Sequence, residues 1–246
     1  MRFDGKRVLV TGASRGLGRF IAEAFAGEGA HVGIGYRVHE REARAVLEVI
    51  ESSGKSATLV PFDVRDAGAV DSAIDAFAND GGLDVLVNAA AAVRDQPMLF
   101  LSPADWDEVI AVGLTGTYHC CRAAARRMLP NGRGAIVNIG SVAGRRASPG
   151  QANYSAAKGG VESLTATAGA ELASRGVRVN AVIPGLLTTG MALRLNRDAA
   201  EIRRKHVPLG RFGDGAEVAR VVLFLASDDA SYIVGQCLVV DGGLSL

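Results

Sequence analysis

Aromatic residues are scarce, at 5% of the 246-residue chain, and there are only three cysteines, Cys120, Cys121 and Cys237. An odd number of cysteines, set in apolar stretches without metal-ligand spacing, excludes a disulfide framework and fits reduced core thiols of a cytoplasmic protein. His31, His39, His119 and His206 are scattered along the chain, so no metal site is expected. No apolar run approaches the ~18 residues of a membrane span. The opening Met-Arg-Phe-Asp-Gly-Lys lacks the apolar core of a signal peptide, so cytoplasmic localisation with no membrane partner is expected. Net charge is +1 with no charged block, which argues against nucleic acid or anionic lipid as the main partner. Lysine is also rare, at four against 23 arginines.

What is abundant is aliphatic bulk and glycine. Hydrophobic residues make up 48% of the chain, and glycine counts 31 against about 17 at average usage. Short β-branched runs alternate with longer helical patterns from end to end. Strands are expected at Arg7–Thr11, Val32–Tyr36, Ala57–Phe62, Asp84–Asn88, Ala135–Gly140, Val177–Ile183 and Cys237–Val240. Helices are expected at Leu17–Glu28, Glu40–Ser53, Ala67–Phe77, Pro103–Met128, Ala152–Arg175 and Ala216–Ala226, with an irregular segment before Pro208. Continuous rather than alternating apolar strands are buried on both faces, as in a parallel sheet covered by helices. The reading is α/β: a single doubly wound (Rossmann) domain over residues 1–246, with a mostly parallel seven-stranded sheet and helices on both faces. Its ligand crevice then lies at the carboxyl ends of the strands.

Two constellations fall at those ends. The first strand runs into Thr11-Gly-Ala-Ser-Arg-Gly-Leu-Gly18. There Gly12, Gly16 and Gly18 make a tight turn, and with Ser14, Arg15 and Leu17 they bring backbone N–H groups and a helix N-terminus to a pyrophosphate. The second strand ends Gly35-Tyr36-Arg37 without the carboxylate that would select NAD. Arg15 and Arg37 instead suit a 2′-phosphate, which favours NADPH/NADP over NAD. Asp63-Val64, after the third strand, suits either adenine binding or a turn cap. Further along, Tyr154 and Lys158 are four apart on one helix and share a face, with Ser141 thirteen residues upstream of Tyr154. A cation beside a phenol is expected to lower its pKa toward neutrality, and a serine hydroxyl can hold a substrate carbonyl there. The set reads as proton donor, pKa tuner and carbonyl clamp.

These motifs, with Asp63-Val64, Pro184-Gly185 and the terminal Val240-Asp-Gly-Gly243, resemble the short-chain dehydrogenase/reductase family over the whole chain. Ala152-Asn-Tyr-Ser-Ala-Ala-Lys158, Arg178-Val-Asn-Ala-Val182, Pro208-Leu-Gly-Arg-Phe-Gly213 and Val222-Leu-Phe-Leu-Ala-Ser227 most resemble bacterial 3-oxoacyl-[acyl-carrier-protein] reductases of fatty acid biosynthesis. The resemblance implies Tyr154 as general acid and Lys158 on the nicotinamide ribose. It implies Ser141 on the carbonyl oxygen, and Asn88, Ala89, Ala90, Pro184, Gly185, Leu187 and Thr189 along the cofactor. It also implies a ketone or acyl thioester substrate, acyl carrier protein as a partner at Arg175 (with Arg126, Arg127 and Arg133 enlarging the patch), and a homotetramer. The apolar surfaces of the two long helices, around Cys120, Cys121, Ala123–Ala125, Val161, Leu164 and Leu172, are expected to carry subunit contacts. Leu186–His206 is expected to line the substrate pocket.

The chain departs from the family pattern twice. Asn-Asn-Ala-Gly is Asn88-Ala-Ala-Ala91 here, and the aligned fourth catalytic Asn is Gly113. Either the Gly113 main-chain carbonyl preserves the family's proton relay, or the missing side chain impairs turnover.

Overall fold

The computed structural model describes residues 1–189 and 204–246. Among them are seven strands, β1 (Arg7–Thr11), β2 (His31–Tyr36), β3 (Ala57–Pro61), β4 (Val85–Asn88), β5 (Gly134–Ile139), β6 (Val177–Pro184) and β7 (Cys237–Val240). They form one sheet in the order β3-β2-β1-β4-β5-β6-β7, every pairing parallel. Successive side chains of a strand point to opposite faces, and here both faces are covered. Val8, Val10, Val85 and Val87 pack under α1 (Gly16–Gly27), α2 (Glu40–Ser52) and α7 (Gly215–Ala226). Leu9 and Leu86 pack on the other side, under α3 (Ala67–Asn79) and α5 (Gly116–Met128). Burying each such side chain contributes about 1.5–3 kcal/mol. No helix among the described residues is long and apolar enough to cross a membrane.

A buried polar seam crosses the sheet where the register aligns Thr11 with Asn88 and Asn88 with Asn138. Asn88 Nδ2 donates to Asn138 Oδ1 at 2.9 Å and approaches Cys121 Sγ at 3.3 Å. Asn138 Nδ2 donates in turn to Thr165 Oγ1 at 2.9 Å. Burial pushes the Cys121 thiol up to about 12, so it is an inert core group, as the sequence suggests.

Two expectations are corrected. The helix expected over Pro103–Met128 is interrupted: α4 (Pro103–Ile110) passes through a π turn, Ala111–Thr115, into α5. Gly116 touches Val64 here so closely that a β-carbon would lie 2.7 Å from Val64 Cγ2. One inserted residue in the ladder lets α5 settle on that contact. The helix expected over Ala152–Arg175 is α6 (Ala152–Leu172), followed by a 3-10 turn, Ala173–Arg175. The second correction concerns subunit contacts. Cys120, Cys121, Ala123, Ala124, Ala125 and Val161 are buried within the chain itself, the first four against α3 and the sheet, so they are no spare interface, whereas Leu164 and Leu172 are half-buried. The exposed large apolar side chains include instead Met98, Leu99 and Phe100, a 3-10 turn ahead of α4, with Trp106 and Tyr118.

Candidate active site

The catalytic candidates converge beyond the end of β5. Ser141 follows that strand and caps the 3-10 turn Val142–Gly144, its Oγ accepting from Ala143 N at 3.2 Å. Gly144 presses this turn onto α6; a β-carbon there would lie 2.8 Å from Gly159 N and 3.0 Å from Lys158 C. Only a residue without a side chain allows the serine turn to sit against the segment carrying Tyr154 and Lys158. Both of those side chains are buried, and Lys158 Nζ stands over the Tyr154 ring, 5.7 Å from its centroid. The ammonium donates to the Ile139 carbonyl at 2.7 Å.

The expected electrostatics are reversed. Burial pushes the Tyr154 phenol up, the Ser141 hydroxyl pulls it part of the way back, and the Asp95 carboxylate adds to the rise. Burial also lowers Lys158 to about 8. The cation loses hydration along with the phenol, so desolvation sets the direction of both shifts.

Asn153, not singled out by sequence, holds this arrangement in place. It is fully buried beside Tyr154. Its Nδ2 donates to the carbonyls of Arg94 at 3.1 Å and Asp105 at 3.3 Å, and its Oδ1 accepts from Tyr154 N at 2.8 Å. One amide thereby ties the segment after β4, helix α4 and the first turn of α6 together. The available signal was an asparagine at the start of an apolar helix, where capping and buried amides are common.

Gly113 lies buried in the π turn, and its carbonyl accepts from Thr117 Oγ1 at 3.0 Å. A β-carbon on it would meet Ala157 Cβ at 3.3 Å, one residue from Lys158.

At the nucleotide end, Gly12 turns with φ +66°, and a β-carbon there would lie 2.8 Å from Ala90 Cα. Thr11 Oγ1 accepts from the N–H groups of both Ala89 and Ala90, each at 3.1 Å, which fixes the two loops against each other. Gly18 lets α1 descend onto the loop, since its β-carbon would be 2.3 Å from Gly12 O. Gly16, by contrast, has no atom of the described residues within 4 Å of that position. The N-cap of α1, Arg15, makes no side-chain cap hydrogen bond among the described residues, and the first turn has no acidic residue. Leu17 and the buried Ser14 complete the turn. An uncapped helix N-terminus behind an open glycine cradle fits a dinucleotide's pyrophosphate. The Asn88 side chain points into the buried seam, so the backbone of Asn88, Ala89 and Ala90 is what remains for a ligand.

Tyr36 is buried at the end of β2, and Arg37 Nη1 reaches Asp63 Oδ2 at 3.5 Å. Val64 packs on α5, with His119 Nδ1 3.1 Å from its carbonyl. Beyond Pro184, Gly185 donates its N–H to Val240 O at 3.0 Å, and Leu187 bridges to Gly213. Thr189 ends the described stretch; of the expected pocket segment Leu186–His206, residues 190–203 lie outside it. In the expected docking patch, Arg126 pairs with Asp71 at 3.7 Å, Arg133 with Asp84 at 3.8 Å, and Arg127 with Asp75. Arg175 stands apart from these pairs, at the end of the 3-10 turn that follows α6.

A family profile described as Enoyl-(Acyl carrier protein) reductase matches residues 12–245. The chain is 43% identical over 240 residues to the 3-oxoacyl-[acyl-carrier-protein] reductase FabG of Staphylococcus aureus strain Mu50, covering 97% of this chain and 98% of that one. It is 40% identical over 245 residues to the reductase of that name from Escherichia coli K12, covering 99% of both. A solved structure of a gluconate 5-dehydrogenase from Burkholderia cenocepacia J2315, in complex with NADP and tartrate, superposes with a TM-score of 0.94 at 36% identity, covering 99% of this chain and 96% of that one.

Proposed function

The chain belongs to the short-chain dehydrogenase/reductase family, and we propose that within it this protein reduces 3-oxoacyl thioesters with NADPH, with acyl carrier protein as the carrier. It is an oxidoreductase of C=O and CH–OH groups with a nicotinamide cofactor. The observation that carries the proposal is the meeting of the Ser141 turn with buried Tyr154 and Lys158, at the same carboxyl end of the sheet as the N-terminus of α1. The nicotinamide, when bound, supplies hydride. The chain orients the carbonyl through the Ser141 hydroxyl and delivers the Tyr154 phenolic proton to the oxygen as charge develops there. Lys158 supplies the positive charge that favours loss of that proton. The resting phenol, held protonated by burial, is already in its donating form. Assembly as a homotetramer in the cytoplasm, with residues 1–246 as one unit, completes the reading.

A second reading, oxidation or reduction of another small ketone or secondary alcohol, polyketides included, is favoured by the likeness to the gluconate 5-dehydrogenase. A third is nucleotide binding with impaired catalysis, because Gly113 stands where the family pattern has Asn. Following NADPH absorbance with acetoacetyl thioesters, a panel of simple ketones, and gluconate with NADP, beside direct NADPH titration, separates the three. Turnover confined to substrates without a thioester would overturn the first reading. Tight binding with no turnover on any substrate would establish the third.

Two further outcomes are expected. Lys158, lowered to about 8, is charged below that value and neutral above it. For the free enzyme, kcat/KM for reduction therefore falls as pH rises through about 8, while the raised Tyr154 stays protonated across the same window. A profile flat to pH 10 would remove the charged lysine from the mechanism. Restoring the family residue by Gly113→Asn is expected to bring no gain in kcat. Its β-carbon presses on Ala157 at 3.3 Å, an overpacking cost of about 1–3 kcal/mol, while asparagine recovers only part of the ~1 kcal/mol by which glycine trails alanine in a helix. Thermal unfolding and kcat of the variant check this, and a large rate gain would show that the missing amide limits turnover.

A further inference from the structure

We propose that Arg65 sets the cofactor preference without touching the cofactor, by occupying the Asp63 carboxylate and so leaving Arg37 only loosely held and available to a 2′-phosphate. The inference rests on the NADPH reading above and adds a residue to it. The ends of β2 and β3 are locked side by side, with Tyr36 in register with Pro61 and Phe62 N donating to Tyr36 O at 2.8 Å. Ala13 N donates to Gly35 O at 2.9 Å, which brings the glycine loop to the same corner. Arg37 and Asp63 are the next residues out, so a cation and an anion face each other where an adenine ribose would lie. Left to themselves they would neutralise each other. A phosphate monoester of about −1.5 to −2 charge would then meet a carboxylate with no spare cation.

Arg65 changes that balance. Its backbone N–H donates to Asp63 Oδ1 at 3.0 Å. Its Nε lies 3.0 Å from Oδ1 and 2.9 Å from Oδ2, and its Nη2 lies 2.6 Å from Oδ2. Both carboxylate oxygens are thus held by one planar guanidinium and its own peptide. The contact to Arg37, at 3.5 Å, is the long one. Bidentate guanidinium–carboxylate pairing is stronger and more directional than a single long contact. The trio carries a net charge of +1, with Arg37 as its more weakly held cation. The Arg37 and Arg65 side chains are each about 40% exposed, so the effect is partly screened and largest at low salt.

The test needs no turnover. Adenosine 2′,5′-bisphosphate and 5′-AMP are titrated calorimetrically into the ligand-free protein at low ionic strength, and the ratio of their affinities is read. The parent chain is expected to prefer the bisphosphate. Arg65→Ala is expected to lower that ratio by about tenfold, the scale of one charge-assisted hydrogen bond, with 5′-AMP affinity unchanged. Adding Asp63→Asn to Arg65→Ala is expected to restore most of the ratio, because the carboxylate that captured Arg37 is gone. An unchanged ratio in Arg65→Ala overturns the inference. So does a double variant that fails to recover, since Arg65 would then act on the phosphate directly. A parent chain with no preference for the bisphosphate overturns the NADPH reading itself.

Discussion

Replacing Tyr154 with phenylalanine is expected to lower kcat for carbonyl reduction by about three orders of magnitude while leaving NADPH affinity within about twofold. The size follows from the role: a positioned general acid contributes about 10²–10⁴ in rate. Burial holds the phenol in its protonated form, with the Ser141 hydroxyl at its side. The ring meanwhile packs with Val109, Ala143 and Ala157. Phenylalanine fills the same volume in that cluster, so the fold and the nucleotide end are not disturbed. Single-turnover reduction and fluorescence titration of NADPH separate the two quantities. A loss of less than tenfold would mean that the proton reaches the substrate from another group.

That expectation rests on a pair visible in the bare sequence, and the contrast with what was not visible is physical. The strand runs were legible because parallel strands are buried on both faces, so Arg7–Thr11 and Asp84–Asn88 stand out without any partner being known. The glycine loop was legible because its turn is local. The sign of the Tyr154 shift was not, because it depends on how deeply two side chains are buried by segments far apart in the chain. Spacing gives proximity but says nothing of dielectric. The π turn was hidden for a similar reason: it answers to a contact between Gly116 and Val64, 52 residues apart in sequence. Asn153 and Arg65 do not stand out in the sequence because their importance lies in which carbonyls and carboxylates they meet. The spare apolar surface assigned to α5 proved to be core, since a helical pattern cannot show that α3 covers its second face.

Of the loop glycines, Gly18 is expected to tolerate substitution least: Gly18→Ala should weaken NADPH binding by at least about a hundredfold and lower the unfolding temperature by about 5–10 °C. The added β-carbon would lie 2.3 Å from Gly12 O and 2.9 Å from Gly12 C, a clash with backbone that no rotamer relieves. Something must move, and α1 is the less able to do so. Ile21, Ala22 and Phe25 on its inner face are fully buried against β1, β2 and α7. The loop is the softer partner, yet Gly12 is itself pinned against Ala90 and held at φ +66°. Its escape therefore tears the Thr11–Ala90 contact and opens the turn that presents the first N–H groups of α1. Overpacking of this kind costs about 1–3 kcal/mol, and each kcal/mol shifts a chain of this size by about 2–4 °C. The binding loss is larger because the cradle requires several donors aimed at one anion, and all of them lie on the displaced segment. Gly16→Ala serves as the internal comparison. Its β-carbon meets nothing within 4 Å among the described residues, so the strain of φ +57° is what opposes it, about 1–2 kcal/mol. A Gly18→Ala protein that binds NADPH as tightly as Gly16→Ala would show that the loop yields without losing its donors, and that close approach of α1 is not what makes the cradle.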